Sequence, residues 1–204
     1  MKKYFGLCFL LLFFLSLCSA AMDAGAAAAL PEKLLRLRVV AASDAPEDQA
    51  RKLLVRDEVV GFLAPLLEEC RDLREAAAIT EASLPELVRR AETRLRAAGG
   101  TDTVTARLGP EQCPLRNYGS FSLPAGTYES LTLTLGEGEG RNWWCVVFPP
   151  LCLSAAGEEG EDSFAVFSPE ETRLLTAGDR QLRFRCLELW QQLLAWLRPE
   201  PGSR

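Results

Sequence analysis

Histidine is absent from all 204 residues of this chain. That absence removes the Ser-His-Asp and Cys-His arrangements of nucleophilic hydrolases, together with every imidazole metal site. The paired C-x-x-C spacings that a four-cysteine zinc site needs are missing too. So is any excess of positive charge. Of 23 basic and 28 acidic side chains, residues 1–30 hold two lysines and one aspartate, so 21 and 27 remain beyond them. Phosphate backbones repel a domain of that balance, and no basic stripe offsets it, which disfavours nucleic acid as a partner. After residue 30 no apolar run approaches the ~20 residues of a membrane span. The acidic run Glu158-Glu159-Gly160-Glu161-Asp162 reads as a solvated loop.

The N-terminus is different. Lys2 and Lys3 precede an apolar run from Phe5 to Leu15, and Cys18-Ser19-Ala20 supplies the small residues of a processing site. Residues 1–30 therefore read as a signal peptide or a retained N-terminal anchor, and membrane contact is expected through this segment alone. An exported chain can form disulfides, but five cysteines remain (Cys70, Cys113, Cys145, Cys152 and Cys186), and an odd number cannot all pair internally.

Periodicity predicts an α+β fold in which helices cover a largely antiparallel sheet, as a single domain. "LLRLRVVAA" (34–42) suits a strand. Asp44 and Glu47 have capping-box spacing with Pro46 in the first turn, predicting a helix to about Glu69. Its expected buried stripe is Ala50, Leu53, Leu54, Val60 and Ala64. Asp57 falls inside that stripe, either as a structural buried acid or as a functional carboxylate. "SLPE" (83–86) predicts a second helix start, with Leu84, Leu87, Val88, Ala91 and Leu95 buried and Gly99-Gly100 as its end. "TVTARL" (103–108) and "SLTLTL" (130–135) alternate as strands with one wet face. "SPEE" (168–171) starts a short helix. A strand at 181–187 and a helix at 188–197 carrying Trp190 form a C-terminal appendix.

"GEGEGRNWWCVVFPPLC" (136–152) is the densest stretch. It is not a P-loop: no lysine follows the last glycine, a β-rich run replaces the helix, and Glu137 and Glu139 repel anions. A reactive thiol lacks support, because a cysteine inside an apolar strand is of the inert kind. A disulfide-locked hairpin remains. The chain advances about 10 Å from Cys145 to Phe148. Pro149 and Pro150 then allow Cys152 to return to within the ~5.5 Å of a disulfide. So short a loop contributes about 2–3 kcal/mol. Trp143 and Trp144 must point to opposite faces of their strand, so one is core and the other is either a binding hot spot or packed under the C-terminal appendix.

"RVVAASDAPEDQARKLLVRDEV" (38–59), "CPLRNYG" (113–119) and "LPAGTYESLTLTLGEGEGRNWWCVVFPPLC" (123–152), with the signal-like N-terminus, resemble the stage II sporulation protein R family. The resemblance covers about residues 34–153. It divides the chain into a segment 1–30, a family domain 31–153 and a variable extension 154–204. It implies an exported signalling protein and not an enzyme, with no catalytic, cofactor or metal residues. Such proteins leave the forespore for the intermembrane space facing the mother cell. There they activate a membrane-embedded protease of the aspartic type, which processes the sigma-E precursor. The expected contact patch is Glu137, Glu139, Arg141, Asn142, Trp143 and Trp144, with Arg116 and Tyr118 from the adjoining loop. Arg116 alternatively pairs with Asp57. Cys113 departs from the family pattern, standing where an aromatic residue is expected before the proline. Two other readings are a carboxylate-based cell-wall hydrolase using Asp57 and Glu129, and a plain structural domain of the envelope.

Overall fold

The computed structural model describes residues 25–118, 121–151 and 167–176. Residues 1–24 of the expected signal or anchor segment, Cys152, Cys186, the acidic run and the strand and helix expected at 181–197 lie outside the described residues. The expected single domain resolves into two compact units. Of the described residues, the larger holds 31–113 and 126–151; the smaller holds 25–30, 114–118, 121–125 and 167–176.

In the larger unit, β1 (Leu35–Val40) leads into α1 (Pro46–Leu67), α2 (Leu73–Ala97) and β2 (Val104–Cys113). The smaller unit contributes the two-residue strands β3 (Arg116–Asn117) and β4 (Ser122–Leu123). The larger unit then resumes with β5 (Gly126–Leu135) and β6 (Asn142–Phe148). Its sheet has the order β2-β5-β1-β6. β1 runs parallel to β5 and antiparallel to β6, while β2 and β5 are antiparallel. The sheet is therefore mixed, not largely antiparallel, and β5 and β6 do not form the expected hairpin. β1 lies between them and is buried on both faces: Leu35, Arg36, Leu37, Val39 and Val40 are all buried. Such a strand gains most in the centre of a sheet, where both edges are hydrogen-bonded and both faces covered.

Both helices cover one face. Leu37, Val39, Val104, Leu131, Leu133, Cys145 and Val147 meet Val55, Val59 and Leu63 of α1 and Ala76, Leu87, Ala91 and Leu95 of α2. Each large aliphatic buried there contributes about 1.5–3 kcal/mol. The inward stripe of α1 is Lys52, Val55, Val59, Leu63 and Leu67, one residue out of step with the expected one. Leu53 and Asp57 consequently face solvent. Asp44 does not cap α1 either. Its N-cap is Ala45, without a side-chain cap.

α2 begins eleven residues before the expected start, at Leu73 after Asp72 instead of at Leu84 after Ser83. Asp72 caps it by accepting the Glu75 amide at 2.9 Å, and the Glu75 carboxylate accepts the amide of Arg71, the residue before the cap, at 3.1 Å. "SLPE" is interior. Ser83 donates to the Ile79 carbonyl at 2.7 Å. Pro85 withdraws the N–H that would bond four residues back. Glu86, held by Arg89 and then Arg90, titrates at about 2. The expected buried face of α2 is found, and so is its end. Gly99 takes a left-handed φ of 76°, and the Gly100 amide returns to the Leu95 carbonyl at 2.9 Å.

β2 continues past Leu108 to Cys113, paired with β5 throughout. The second face of β5 is not the expected wet one, since Tyr128, Ser130 and Thr132 are buried. In the smaller unit, Arg116 pairs with Leu123, and the Tyr118 and Phe121 rings stack at 4.8 Å. The helix expected from "SPEE", α3 (Pro169–Thr176), packs on β4. A reciprocal pair of bonds between Ser168 and Glu171 caps it.

Candidate functional site

The glycine-rich segment carries the chain from the end of β5 across the end of β1 to the start of β6. Gly136 and Gly138 turn it with φ of 55° and 70°. The Glu139 amide then bonds the Ala42 carbonyl at 3.2 Å, and the Gly140 amide the Ala41 carbonyl at 3.0 Å. At Gly140 a Cβ would stand 2.2 Å from the Ser43 carbonyl oxygen, so only glycine fits this crossing. Glu137 and Glu139 remain exposed.

Arg141 leaves the crossing held at both backbone groups. Its N–H donates to Asp44 Oδ1 at 2.8 Å, and its carbonyl accepts from Lys52 Nζ at 2.9 Å. Asp44, read in sequence as a helix cap, is therefore occupied by this loop. Lys52 is only 5% exposed and also donates to Gln49 Oε1 at 2.6 Å. Burial, followed by the charge of Arg141, lowers the Lys52 pKa. Two residues on, Trp143 is 37% exposed, and the Arg56 guanidinium lies 4.4 Å from its ring centroid. Arg56 in turn bonds Asp57 Oδ1 at 2.6 and 2.8 Å. The side chain of Asp57 is 61% exposed. It is thus not a buried structural acid. That surface pair does not make the desolvated acid a carboxylate hydrolase needs.

The opposite face carries a second cluster. Trp144 is 8% exposed and belongs to the interior, not to a contact patch. Arg36, fully buried, lies 5.0 Å from the Tyr128 ring and 5.2 Å from that of Trp144, and Arg38 is also 5.2 Å from Trp144. Arg38 pairs with Glu111 and reaches Asn142 Oδ1 at 3.4 Å. Glu111 also accepts from Thr132 at 2.7 Å and Arg107 at 3.3 Å. Burial pushes its carboxyl up, but the Thr132 and Arg38 hydrogen bonds and the charges of Arg38 and Arg107 bring it below the usual range.

The sequence-predicted residues thus separate. Glu137, Glu139, Arg141 and Trp143 share the crossing segment and its exit, Asn142 turns toward Arg38, and Trp144 goes inside. Arg116, exposed, and Tyr118 lie in the smaller unit. Sequence reading missed Lys52, Arg56 and the Arg36 cluster. Only the last left a signal: the alternation in "LRLRVV" places Arg36 and Arg38 on one face.

Cys70 and Cys113 are free thiols, and burial raises the pKa of both. Cys145 is not free, and no two of the described cysteines are linked to each other. Among the described residues no group of three or more Cys, Asp or Glu is placed to hold a metal ion. Fold and surface together define a mixed-sheet α+β domain presenting a clamped loop.

The chain belongs to the stage II sporulation protein R family, whose model matches residues 31–158. Stage II sporulation protein R of Bacillus subtilis (strain 168) is 35% identical over 124 residues, covering 61% of this chain and 55% of the relative. The chain thus spans about half the length of that curated relative. No solved structure matches.

Proposed function

We propose that this chain is an exported signalling protein of sporulation. It activates a membrane-embedded protease of the aspartic type, which processes the sigma-E precursor in the mother cell. It acts from the intermembrane space, reached through the segment 1–30, and residues 31–153 form the signalling domain. The observation that carries this reading is the family match, which spans the glycine crossing and the strand after it. The glycine crossing over β1 supports a binding role, because its backbone is fixed before any partner arrives and little ordering entropy is lost on contact. Trp143 under Arg56 has the composition of an interface anchor. A bridge between Cys145 and Cys152 would fasten the far end of the same strand. Activation requires that this surface bind the active arrangement of the protease more tightly than the inactive one.

The test reconstitutes the full chain with the protease and the precursor in a host lacking all three, with cleavage followed by immunoblot. Cleavage is expected only when this chain is exported. Cleavage without it, or none with it, removes the reading. Mass mapping without reductant tests the bridge, which fails if the Cys145 and Cys152 peptides migrate separately.

A further inference from the structure

We propose that Lys52 and Asp44 are positioning residues: they clamp the two backbone groups of Arg141 and so fix the direction in which Trp143 is presented. The argument starts from a cost. An ammonium group buried like that of Lys52 is unfavourable unless its donors are matched, and an apolar side chain of similar length fills such a site more cheaply. What the ammonium adds is the 2.9 Å bond to the Arg141 carbonyl. Arg141 precedes the first ladder pair of its strand, Asn142 with Val40, so Asp44 and Lys52 take the place of sheet neighbours there.

Gln49 closes the arrangement. Its carbonyl oxygen accepts from Lys52, and its amide donates to the Ser43 carbonyl at 2.8 Å. The β1–α1 connection and the start of β6 thereby become one hydrogen-bonded unit. Strand alternation carries the setting of Arg141 to Trp143 two residues on. The gain is not in core packing, since the Arg141 side chain is 74% exposed and Trp143 lies at the surface. It is in presentation: a fixed indole loses less freedom on contact than a loose one. That Trp143 meets the protease rests on the function proposed above; the clamp itself does not.

The test uses the full chain with Lys52→Met, Asp44→Ala and Asp44→Asn, the last keeping an oxygen acceptor. Three quantities are measured: the urea midpoint, hydrogen exchange at the Asn142 and Trp143 amides, and cleavage of the sigma-E precursor. For Lys52→Met and Asp44→Ala, exchange is expected to rise and cleavage to fall, each about tenfold, with the midpoint unchanged. Asp44→Asn is expected to stay near the parent in all three. Unchanged exchange in Lys52→Met overturns the clamp, and a midpoint that falls in step with cleavage reduces Lys52 to a stability role. Raised exchange with cleavage intact upholds the clamp and rejects Trp143 as the receptor contact.

Discussion

Leu37 and Arg36 are neighbours on β1, both fully buried, and opposite chemistry buries them. Leu37 points to the helices, where aliphatic side chains exclude water and direction matters little. Arg36 points the other way, toward Tyr128 and Trp144, where a cation is stabilised by ring faces set at particular distances. One face draws its stability from area; the other depends on geometry and on charge. The central strand of this sheet serves both.

Truncation probes the helix face most strongly. Leu37→Ala is expected to lower stability by about 2–5 kcal/mol in urea denaturation, since α1 and α2 cannot close fully over the void. On the other face, Arg36→Ala is expected to cost about 2–3 kcal/mol through lost stem packing and ring contact, and Arg36→Met about 1 kcal/mol. Equal losses for the two variants would mean that the guanidinium itself contributes the whole effect.

Glu111 distinguishes the faces by pH. Its folded pKa is depressed, so its contribution is complete above the unfolded value of about 4.3 and is lost as pH falls through the lower folded value. Glu111→Gln should lose about 1 kcal/mol at neutral pH and show a flatter decline in acid, followed by urea midpoints from pH 7 to 2. An unaltered acid profile would remove Glu111 from the balance of that face. Asp57→Ala is expected to change stability by less than about 0.5 kcal/mol, and a loss of several kcal/mol would restore it to the interior.

Much of this was legible where the signal is local. The leucines at 131, 133 and 135 gave one face of β5, the Gly99-Gly100 pair gave the end of α2, and the adjacent tryptophans had to divide between two faces. Strand order was not legible, because the pairing of Leu37 with both Leu131 and Cys145 leaves no trace near any of them. The α1 stripe slipped by one residue for a physical reason. Leu53-Leu54-Val55 and Val59-Val60 satisfy two helical frames, and the correct frame requires a lysine to point inward. Asp44 misled in the same manner, since capping-box spacing is a local rule and its actual partner, Arg141, is remote. At the candidate site, sequence singled out Arg141 and Trp143 but not Lys52 and Arg56 of α1, which bond and cover them.

The central position of β1 has a consequence for how the molecule is made. Synthesis delivers this strand early, yet both its neighbours belong to the last part of the sheet, beginning at Glu129 and ending at Phe148. Until that stretch emerges, the strand that anchors the whole layer has nothing to pair with. Helices α1 and α2 can form meanwhile, but they have no floor to rest on. The chain therefore stays open for most of its own synthesis and closes late, the slow course expected when contacts join distant parts of a sequence.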